Sequence, residues 1–120
     1  MSSRASIGYF GLFEGECCTN QGFISIIPKH LETRMYLLHN LMSRKDEIIG
    51  LAGGTTYKEI NKTTFRGMDI RVPPNHLLEE FEALAYDTVK QVRVLKKQIH
   101  ALERARDLLL PKLMNGEIAA

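Results

Sequence analysis

The sequence predicts an α+β fold: a small region of mixed strands and helix, followed by one long C-terminal helix. Short runs rich in Ile, Phe and Tyr, bounded by Gly or Pro, recur in the first region and are typical of strands. From Asn75 to Leu110 there is neither Gly nor Pro, which favours one uninterrupted helix. The chain has 120 residues, enough for one modest domain. We divide it at Pro73-Pro74 into a first region, 1–74, and a helical region, 75–120.

Composition and charge limit the cellular setting more than the function. The formal net charge is +2, which is too weak to indicate a polyanionic partner and does not exclude one. No apolar run reaches the length of a membrane span, and Met1–Arg4 does not lead into a secretory signal. The adjacent residues Cys17 and Cys18 are the only cysteines, and neighbouring cysteines rarely bridge. We therefore expect two buried, reduced thiols in a cytoplasmic protein.

Three strands and one helix are predicted in the first region. Ala5–Leu12 and Gly22–Ile27 are runs of the Ile-, Phe- and Tyr-rich kind, and Met68–Val72 alternates apolar with charged residues, as a half-exposed strand does. Leu31–Leu51 is predicted to be helical because its apolar residues recur at spacings of three and four. Pro73-Pro74 should end the last strand, since proline donates no ladder hydrogen bond.

Two shorter features lie between the predicted helix and the last strand. Gly53 or Gly54 can supply the left-handed residue that ends a helix. The stretch Lys58–Arg66 is polar and predicts a short turn that begins at Asn61 or Thr63, because both residue types cap helix N-termini.

The long helix carries a heptad pattern. Asn75 is a good N-cap, and glutamates follow it near the positive end of the helix dipole. Residues alternately three and four apart form an apolar row, which we call the seam, interrupted by Thr88 and Arg106. This regularity favours a coiled coil, and a rod of roughly 50 Å, at about 1.5 Å per residue, exceeds what the first region could cover. The seam comprises Leu78, Phe81, Ala85, Val92, Leu95, Ile99, Leu102, Leu109 and Leu113.

The seam predicts a second helix, contributed by another copy of this chain or by a partner chain. The alternative is a self-contained bundle in which Leu31–Leu51 packs against the long helix. At the C-terminus, Pro111 should disturb the last turn because it removes a backbone donor, and Asn115-Gly116 provides a C-cap. The alternative there is an accidental proline in a fraying helix end.

The C-terminal residues resemble those of a known family. A double proline precedes a Leu-Leu-x-x-Phe start of the long helix, and Arg106 to Ile118 matches the signature Arg-Asp-x-Leu-Leu-Pro-x-Leu-Met-x-Gly-Glu-Ile. Upstream, "SSRASIGYFGL", "CTNQGFISIIP" and "GGTTYKEINKTTFRGMDIRVPP" follow in the family's order. Together these segments resemble the C-terminal part of the specificity subunit of type I restriction-modification systems, from midway through a target recognition domain to the distal conserved helix.

This resemblance implies DNA recognition without catalysis. In that family two recognition domains each read one half of a split DNA sequence, and two long helices form a spacer that docks methyltransferase subunits. For this chain the resemblance implies a partial target recognition domain over 1–74, a coiled-coil spacer with a C-terminal hook over 75–120, and double-stranded DNA and the methyltransferase subunit as partners. Since a full specificity subunit is several times longer, we expect a truncated form that pairs with itself as a homodimer when alone.

Glycine, hydroxyl and basic residues are the candidates for DNA contacts. In the loop from Gly53 to Lys58 the backbone can approach phosphate while hydroxyl and ammonium groups donate; the alternative is a helix stop followed by a polar turn. Three further cations could contact phosphates, although scattered basic residues usually form a solvated surface. The full candidate set is Arg4, Gly53, Gly54, Thr55, Thr56, Lys58, Lys62 and Arg66.

Thr19-Asn20-Gln21 could read an adenine edge with its amides; the alternative is that these side chains satisfy a buried turn. No nucleophile–base pairing and no paired metal-ligand spacing is present in the sequence, so we expect no enzyme activity, no metal and no cofactor in this chain. The alternative function is a pure coiled-coil dimerisation or docking module that never touches DNA.

Overall fold

The computed structural model describes residues 1–54 and 57–118. It divides into two compact units, Met1–Ala83 and Leu84–Ala120. None of the helices in the described part of the chain combines the length and the apolar character that crossing a membrane requires. The helical elements are a 3-10 turn at Leu31–Thr33, α1 at Arg34–Ser43, α2 at Lys45–Gly50, α3 at Lys62–Arg66 and α4 at Asn75–Met114.

The prediction of an α+β fold was wrong, because the described residues contain no β-strand. Extended backbone is present, but it pairs through isolated antiparallel bridges: Ser2 with Phe23, Arg4 with Glu59, and Gly53 with Glu59. A sheet requires neighbouring strands that pair over several consecutive residues. Single bridges do not build such a ladder, so the described structure is helical, with extended connections.

The first predicted strand, Ala5–Leu12, fails because the chain turns within it. Ala5 has a φ of 59° and Gly8 a φ of 81°, and both values lie in the left-handed region that interrupts a strand. The turn carries the chain back on itself, so that the N–H of Ser2 donates to the carbonyl of Tyr9 at 2.9 Å. The backbone hydrogen bonds of this segment are therefore local.

The second predicted strand, Gly22–Ile27, is extended but pairs over its first residues alone. Ile24 donates its N–H to the carbonyl of Met1 at 2.8 Å and accepts from the Met1 amino group at 3.0 Å. Beyond Ile24, within the described residues, no backbone hydrogen bond joins 25–27 to another segment. The chain lies along the N-terminus without continuing into a ladder.

In the third predicted strand, Met68–Val72, two backbone carbonyls accept hydrogen bonds from side chains. The guanidinium of Arg44 donates to the carbonyl of Asp69 at 2.8 Å, and the hydroxyl of Tyr36 donates to the carbonyl of Arg71 at 2.5 Å. These bonds replace the backbone partners that a strand would need. The segment is consequently held against α1 and α2 as extended chain.

The single helix predicted over Leu31–Leu51 is a 3-10 turn followed by α1 and α2. The break falls at Arg44, whose φ of −101° and ψ of 22° lie outside the helical region. Its guanidinium also donates to Glu47 through two nitrogens at 2.7 Å each. The backbone departure and the side-chain bonds together place Arg44 at the junction of the two helices.

A small apolar core holds the first unit together. Met35 in α1 and Leu78 in the first turn of α4 are also buried in this unit. Burying each large apolar side chain contributes about 1.5–3 kcal/mol relative to exposure, so the core is the main stabilising feature of the unit. The core cluster consists of Ile7, Ile24, Leu41, Ile48 and Ile60.

Two helix ends confirm their predictions. At the start of α3, Asn61 accepts through Oδ1 the N–H of Thr64 at 2.8 Å, which is an N-cap bond. α4 continues through Pro111 to Met114, and Gly116 follows with a φ of 79°, the conformation typical of a helix C-cap.

Candidate nucleic-acid interface

A cleft of 360 Å³ lies in the first unit between two segments of the chain. One wall is formed by side chains of residues 19–26, where the chain runs extended along the N-terminus. The other wall is formed by Lys62, Phe65 and Arg66 of α3. The cleft therefore brings together the predicted phosphate contacts of α3 and the predicted base-reading segment Thr19-Asn20-Gln21.

The two cations of α3 face the cleft with their charges available. Lys62 and Arg66 are four residues apart, which places them on the same side of a helix. Both are exposed, and neither has an ion-pair or hydrogen-bond partner among the described residues. Unpaired positive charges at the mouth of a cleft attract an anionic ligand.

The opposite wall carries amides and hydroxyls. Asn20 accepts the N–H of Gly22 through Oδ1 at 2.9 Å, which leaves its NH₂ group directed away from that turn. Gln21 is exposed and has no hydrogen-bond partner among the described residues. Thr19 and Ser25 join their hydroxyls at 3.1 Å. Asn20 thus bonds to the local turn through one atom, but the turn is exposed and not buried as the alternative had it; the base-reading role of this segment stays a prediction.

The remaining DNA-contact candidates that the structure describes gather at Glu59. Arg4 donates to the Glu59 carboxylate at 2.7 and 3.0 Å, and the Gly53 and Glu59 backbones exchange hydrogen bonds at 2.9 and 3.0 Å. Lys58 precedes Glu59, is exposed and has no ion pair among the described residues. The candidates Thr55 and Thr56 lie outside the described residues.

Gly54 rather than Gly53 is the residue with the unusual backbone. Its φ is 110°, and a Cβ built on it would lie 2.5 Å from the carbonyl oxygen of Tyr57. A Cβ on Gly53 would meet nothing within 4 Å. The structure therefore requires glycine at Gly54, where the chain closes tightly on itself, and has no such requirement at Gly53.

The seam residues of α4 differ between the two units. In the first unit Leu78 is buried, and Phe81 meets the ring of His39 edge-on at 5.6 Å between centroids. In the second unit Ala85 is half-buried, and the large seam residues are exposed by 42% to 70% of their surface. These exposed residues are Val92, Leu95, Ile99, Leu102, Leu109 and Leu113.

Two features of the first unit were not predicted. Phe23 and Phe65 line the cleft, although an aromatic residue in a strand-like pattern looks like core, so the sequence offers no signal that separates the two roles. Cys17 and Cys18 were expected to be buried, and this was wrong, because both are exposed in a loop whose neighbours are exposed as well. Across 1–54 and 57–118, no group of three or more His, Cys, Asp or Glu side chains is placed to hold a metal ion.

The cleft is lined by cations without ion-pair partners in the described part of the chain and by amides with hydrogen-bonding groups that remain available to a ligand. Lys and Arg contact phosphates, and Asn and Gln contact base edges, so the cleft has the composition of a nucleic-acid-binding surface. The chain belongs to the family of type I restriction modification DNA specificity domains, whose model matches residues 1–104. This match confirms the resemblance drawn from the sequence.

Two curated relatives are specificity subunits. The chain is 29% identical over 106 residues to the type I restriction enzyme MjaIX specificity subunit of Methanocaldococcus jannaschii, covering 81% of this chain and 24% of that protein. It is 30% identical over 121 aligned residues to the type I restriction enzyme HindI specificity subunit of Haemophilus influenzae, covering 98% of this chain and 26% of that protein. The chain thus spans about a quarter of the length of these relatives. No solved structure matches it with significance.

Proposed function

We propose that this chain is a non-catalytic DNA-recognition and scaffold component of a type I restriction-modification complex that acts in the cytoplasm. Residues 1–74 supply the DNA-contacting domain, and residues 75–120 supply the coiled-coil spacer. The observation that carries the proposal is the cleft: in a chain of the DNA specificity family, it sets unpaired Lys62 and Arg66 opposite the amides of Asn20 and Gln21.

The two walls of the cleft suit different parts of DNA. Lys62 and Arg66 provide sequence-independent attraction to phosphates, and this attraction dominates affinity and its dependence on salt. The amides of Asn20 and Gln21 can pair with the donor and acceptor atoms of adenine. The first pair therefore supports binding, and the second supports discrimination among sequences.

The loop from Gly53 to Lys58 supplies a second DNA contact in this proposal. Lys58 has no ion pair among the described residues, so its charge is available for a phosphate. Arg4 is bonded to the Glu59 carboxylate, which compensates its charge locally. We therefore assign the stronger phosphate contact to Lys58 and a weaker one to Arg4.

Fluorescence anisotropy with a short labelled duplex, titrated at several salt concentrations, tests the DNA proposal. Replacing both Lys62 and Arg66 with Gln should weaken binding and lower the slope of log K against log salt by about 2, since each phosphate contact contributes about 0.9. The control replaces Lys29 and Arg71, two exposed cations outside the cleft, with Gln. Equal loss in both double variants, or no binding by the unmodified chain at low salt, would contradict the assignment.

We also propose that the seam from Ala85 to Leu113 lies against a helix of a second copy when the chain is alone. The exposed Leu95, Ile99 and Leu102 recur at coiled-coil spacing, and a row of this kind is stable in water when another helix covers it. Leu78 is already buried in its own unit, so the pairing begins after it. In a complete complex the second helix belongs to the spacer.

A second apolar row on α4 suits the methyltransferase subunit. Val94, Ala101 and Leu108 are exposed and seven residues apart, so they share one face of the helix. Val94 follows Val92 by two residues and precedes Leu95 by one, which at about 100° per residue places this row roughly 130° around the helix from the midline of the seam. A helix with two apolar rows this far apart can pack against two partners at once. We assign the second row to methyltransferase docking.

The exposed seam also favours the second candidate function, a docking module that does not bind DNA. Light scattering and the anisotropy titration separate the two. Self-association without duplex binding at low salt would favour the docking module, whereas self-association with salt-dependent duplex binding would favour the recognition component.

A further inference from the structure

The cleft contains two aromatic residues. Contacts to the phosphates and base edges of paired DNA do not require aromatic side chains. Phe23 lines it from the extended wall and is 45% exposed. Phe65 lines it from α3 and packs partly against the core. Phosphate binding needs charge, and reading a base edge in a groove needs hydrogen-bonding groups. An exposed ring beside both is typical of proteins on which an unstacked base lies.

The size of the cleft limits what it can hold. At 360 Å³ it falls near the lower end of the range of small-ligand pockets, about 300–1,000 Å³. This volume suits one nucleotide and is too small for several stacked bases. A concave site of this size can enclose a whole base, whereas a base that remains paired in the duplex offers only its edge.

The polar groups that line the cleft together with Phe23 are of the kinds that bind a nucleotide. Lys62 and Arg66 offer unpaired charge to a phosphate. Gln21 and the NH₂ group of Asn20 offer donors and an acceptor to the edge of a base, because Asn20 turns only its Oδ1 toward Gly22. A Cβ on Gly22 would lie 3.2 Å from that oxygen, so the glycine leaves room for this amide orientation.

We propose that the cleft binds a single nucleotide whose base has left the stack, with the base on Phe23 and its phosphate near Lys62 and Arg66. This inference rests on the proposed DNA-recognition function and names the part of the DNA that the cleft takes. The base edge meets the amides of Asn20 and Gln21. Unstacking is least costly where a base is unpaired, so the chain should prefer DNA that already presents one.

The test compares two short duplexes of the same mixed sequence, one fully paired and one carrying a single extra 2-aminopurine nucleotide as a bulge. We expect about 10-fold tighter binding to the bulged duplex, since base–aromatic stacking is worth about that factor or more, together with a change in 2-aminopurine fluorescence on binding. Phe23→Leu keeps an apolar side chain at the half-exposed position and should abolish the preference, so that the bulged and the paired duplex bind this variant equally. Phe13→Leu is the control, because Phe13 is exposed and lies outside the cleft.

The outcomes separate this inference from the function on which it rests. Equal affinity for the two duplexes, or a bulge preference that survives Phe23→Leu, would overturn the single-nucleotide site and leave DNA recognition standing. Binding of the bulged duplex without binding of the paired duplex would support the site and contradict recognition of duplex DNA. Failure to bind any of these probes at low salt would overturn both.

Discussion

The guanidinium of Arg34 in α1 donates through Nε to Oε1 of Glu82 in α4 at 2.9 Å. The other carboxylate oxygen of Glu82 accepts the backbone N–H of Met35 at 2.8 Å. Both charged side chains are largely buried, with 19% and 13% of their surfaces exposed. One carboxylate thus satisfies a buried cation and a donor in the first turn of α1, where the helix leaves N–H groups without internal partners. This contact fixes the start of α4 to α1 within the first unit.

Removing the carboxylate should destabilise the first unit. Glu82→Ala leaves the Met35 N–H without its acceptor and removes the nearer carboxylate from Arg34, which keeps Glu14 as a partner at 3.7 Å. We expect a loss of about 1–3 kcal/mol in the free energy of unfolding. Urea denaturation at a fixed protein concentration measures it. Glu80→Ala is the matched control, because Glu80 is exposed on the same helix and has no bonded partner among the described residues; its effect should stay within about 0.5 kcal/mol. Similar losses in the two variants would contradict the anchoring role of Glu82.

Adjacent glycines in the predicted DNA-contact loop should respond differently to alanine. Gly54→Ala forces a Cβ to 2.5 Å from the Tyr57 carbonyl oxygen at a φ of 110°, and we expect a cost of about 1–3 kcal/mol. Gly53→Ala meets no neighbouring atom and should be neutral or slightly stabilising, because alanine restricts the unfolded chain. Thermal unfolding followed by circular dichroism compares the variants. An unfolding midpoint for Gly54→Ala equal to that of Gly53→Ala would show that the loop tolerates a side chain there.

The junction of α1 and α2 should contribute a pH-dependent term to stability. The hydrogen bonds from the Arg44 guanidinium hold the pKa of Glu47 below its ordinary value of 4.5. Because the folded pKa is the lower one, the stabilisation is fully present above pH 4.5 and is lost as the pH falls through the folded pKa. Glu47→Gln should therefore lower the urea midpoint at neutral pH and have little effect in acid below that pKa. Glu16→Gln, at an exposed carboxylate without a bonded partner in the described structure, is the control and should shift the midpoint at neither pH.

The long helix was predictable because its signals are local. Gly and Pro are absent from Asn75 to Leu110, and Asn115-Gly116 provides the C-cap. In the structure α4 begins at Asn75 and ends at Met114, directly before Asn115. The strands were wrong because residues such as Ile26 and Ile27 favour extended chain, whereas a ladder depends on a partner elsewhere. At the break between α1 and α2, Arg44 donates to the Asp69 carbonyl, 25 residues away in the chain, and helical periodicity does not reveal such a contact.

In the candidate site, too, some features were predictable from local sequence and others depend on residues distant in the chain. The spacing of Lys62 and Arg66 places both on one face of a short helix, and the Asn61 cap signals where that helix begins, so half of the cleft follows from local sequence. The facing position of Gln21 depends on the tertiary path of the chain. Phe23 shows why composition alone was insufficient, since an aromatic residue in an extended run can equally well be core or ligand surface.

The exposed cysteines should react in the folded protein. Cys17 and Cys18 are both solvent-accessible free thiols, so an aromatic disulfide reagent should titrate two thiols per chain without denaturant. Cys17→Ser and Cys18→Ser should each change the free energy of unfolding by less than about 0.5 kcal/mol, because no buried surface is lost. Thiol release that begins only when the chain unfolds would show that the loop is covered.

The exposed apolar seam of α4 should be covered by the α4 helix of a second copy. Ile99 is 55% exposed and Leu95 is 57% exposed, and covering the exposed part with a second helix contributes about 1–1.5 kcal/mol for each side chain, roughly half the value for full burial. An aspartate at Ile99 would place a charge in each half of a paired seam, and we expect the dissociation constant of the dimer to rise at least about 100-fold. Gln98→Asp introduces the same charge at the neighbouring position outside the seam and should leave the dimer intact. Light scattering across a range of protein concentrations measures the mass of each variant, and circular dichroism shows whether its helix persists. Two results would mean that α4 does not pair with itself through this row. One is an unmodified chain that remains monomeric at every concentration, and the other is a dimer whose dissociation constant does not change in Ile99→Asp.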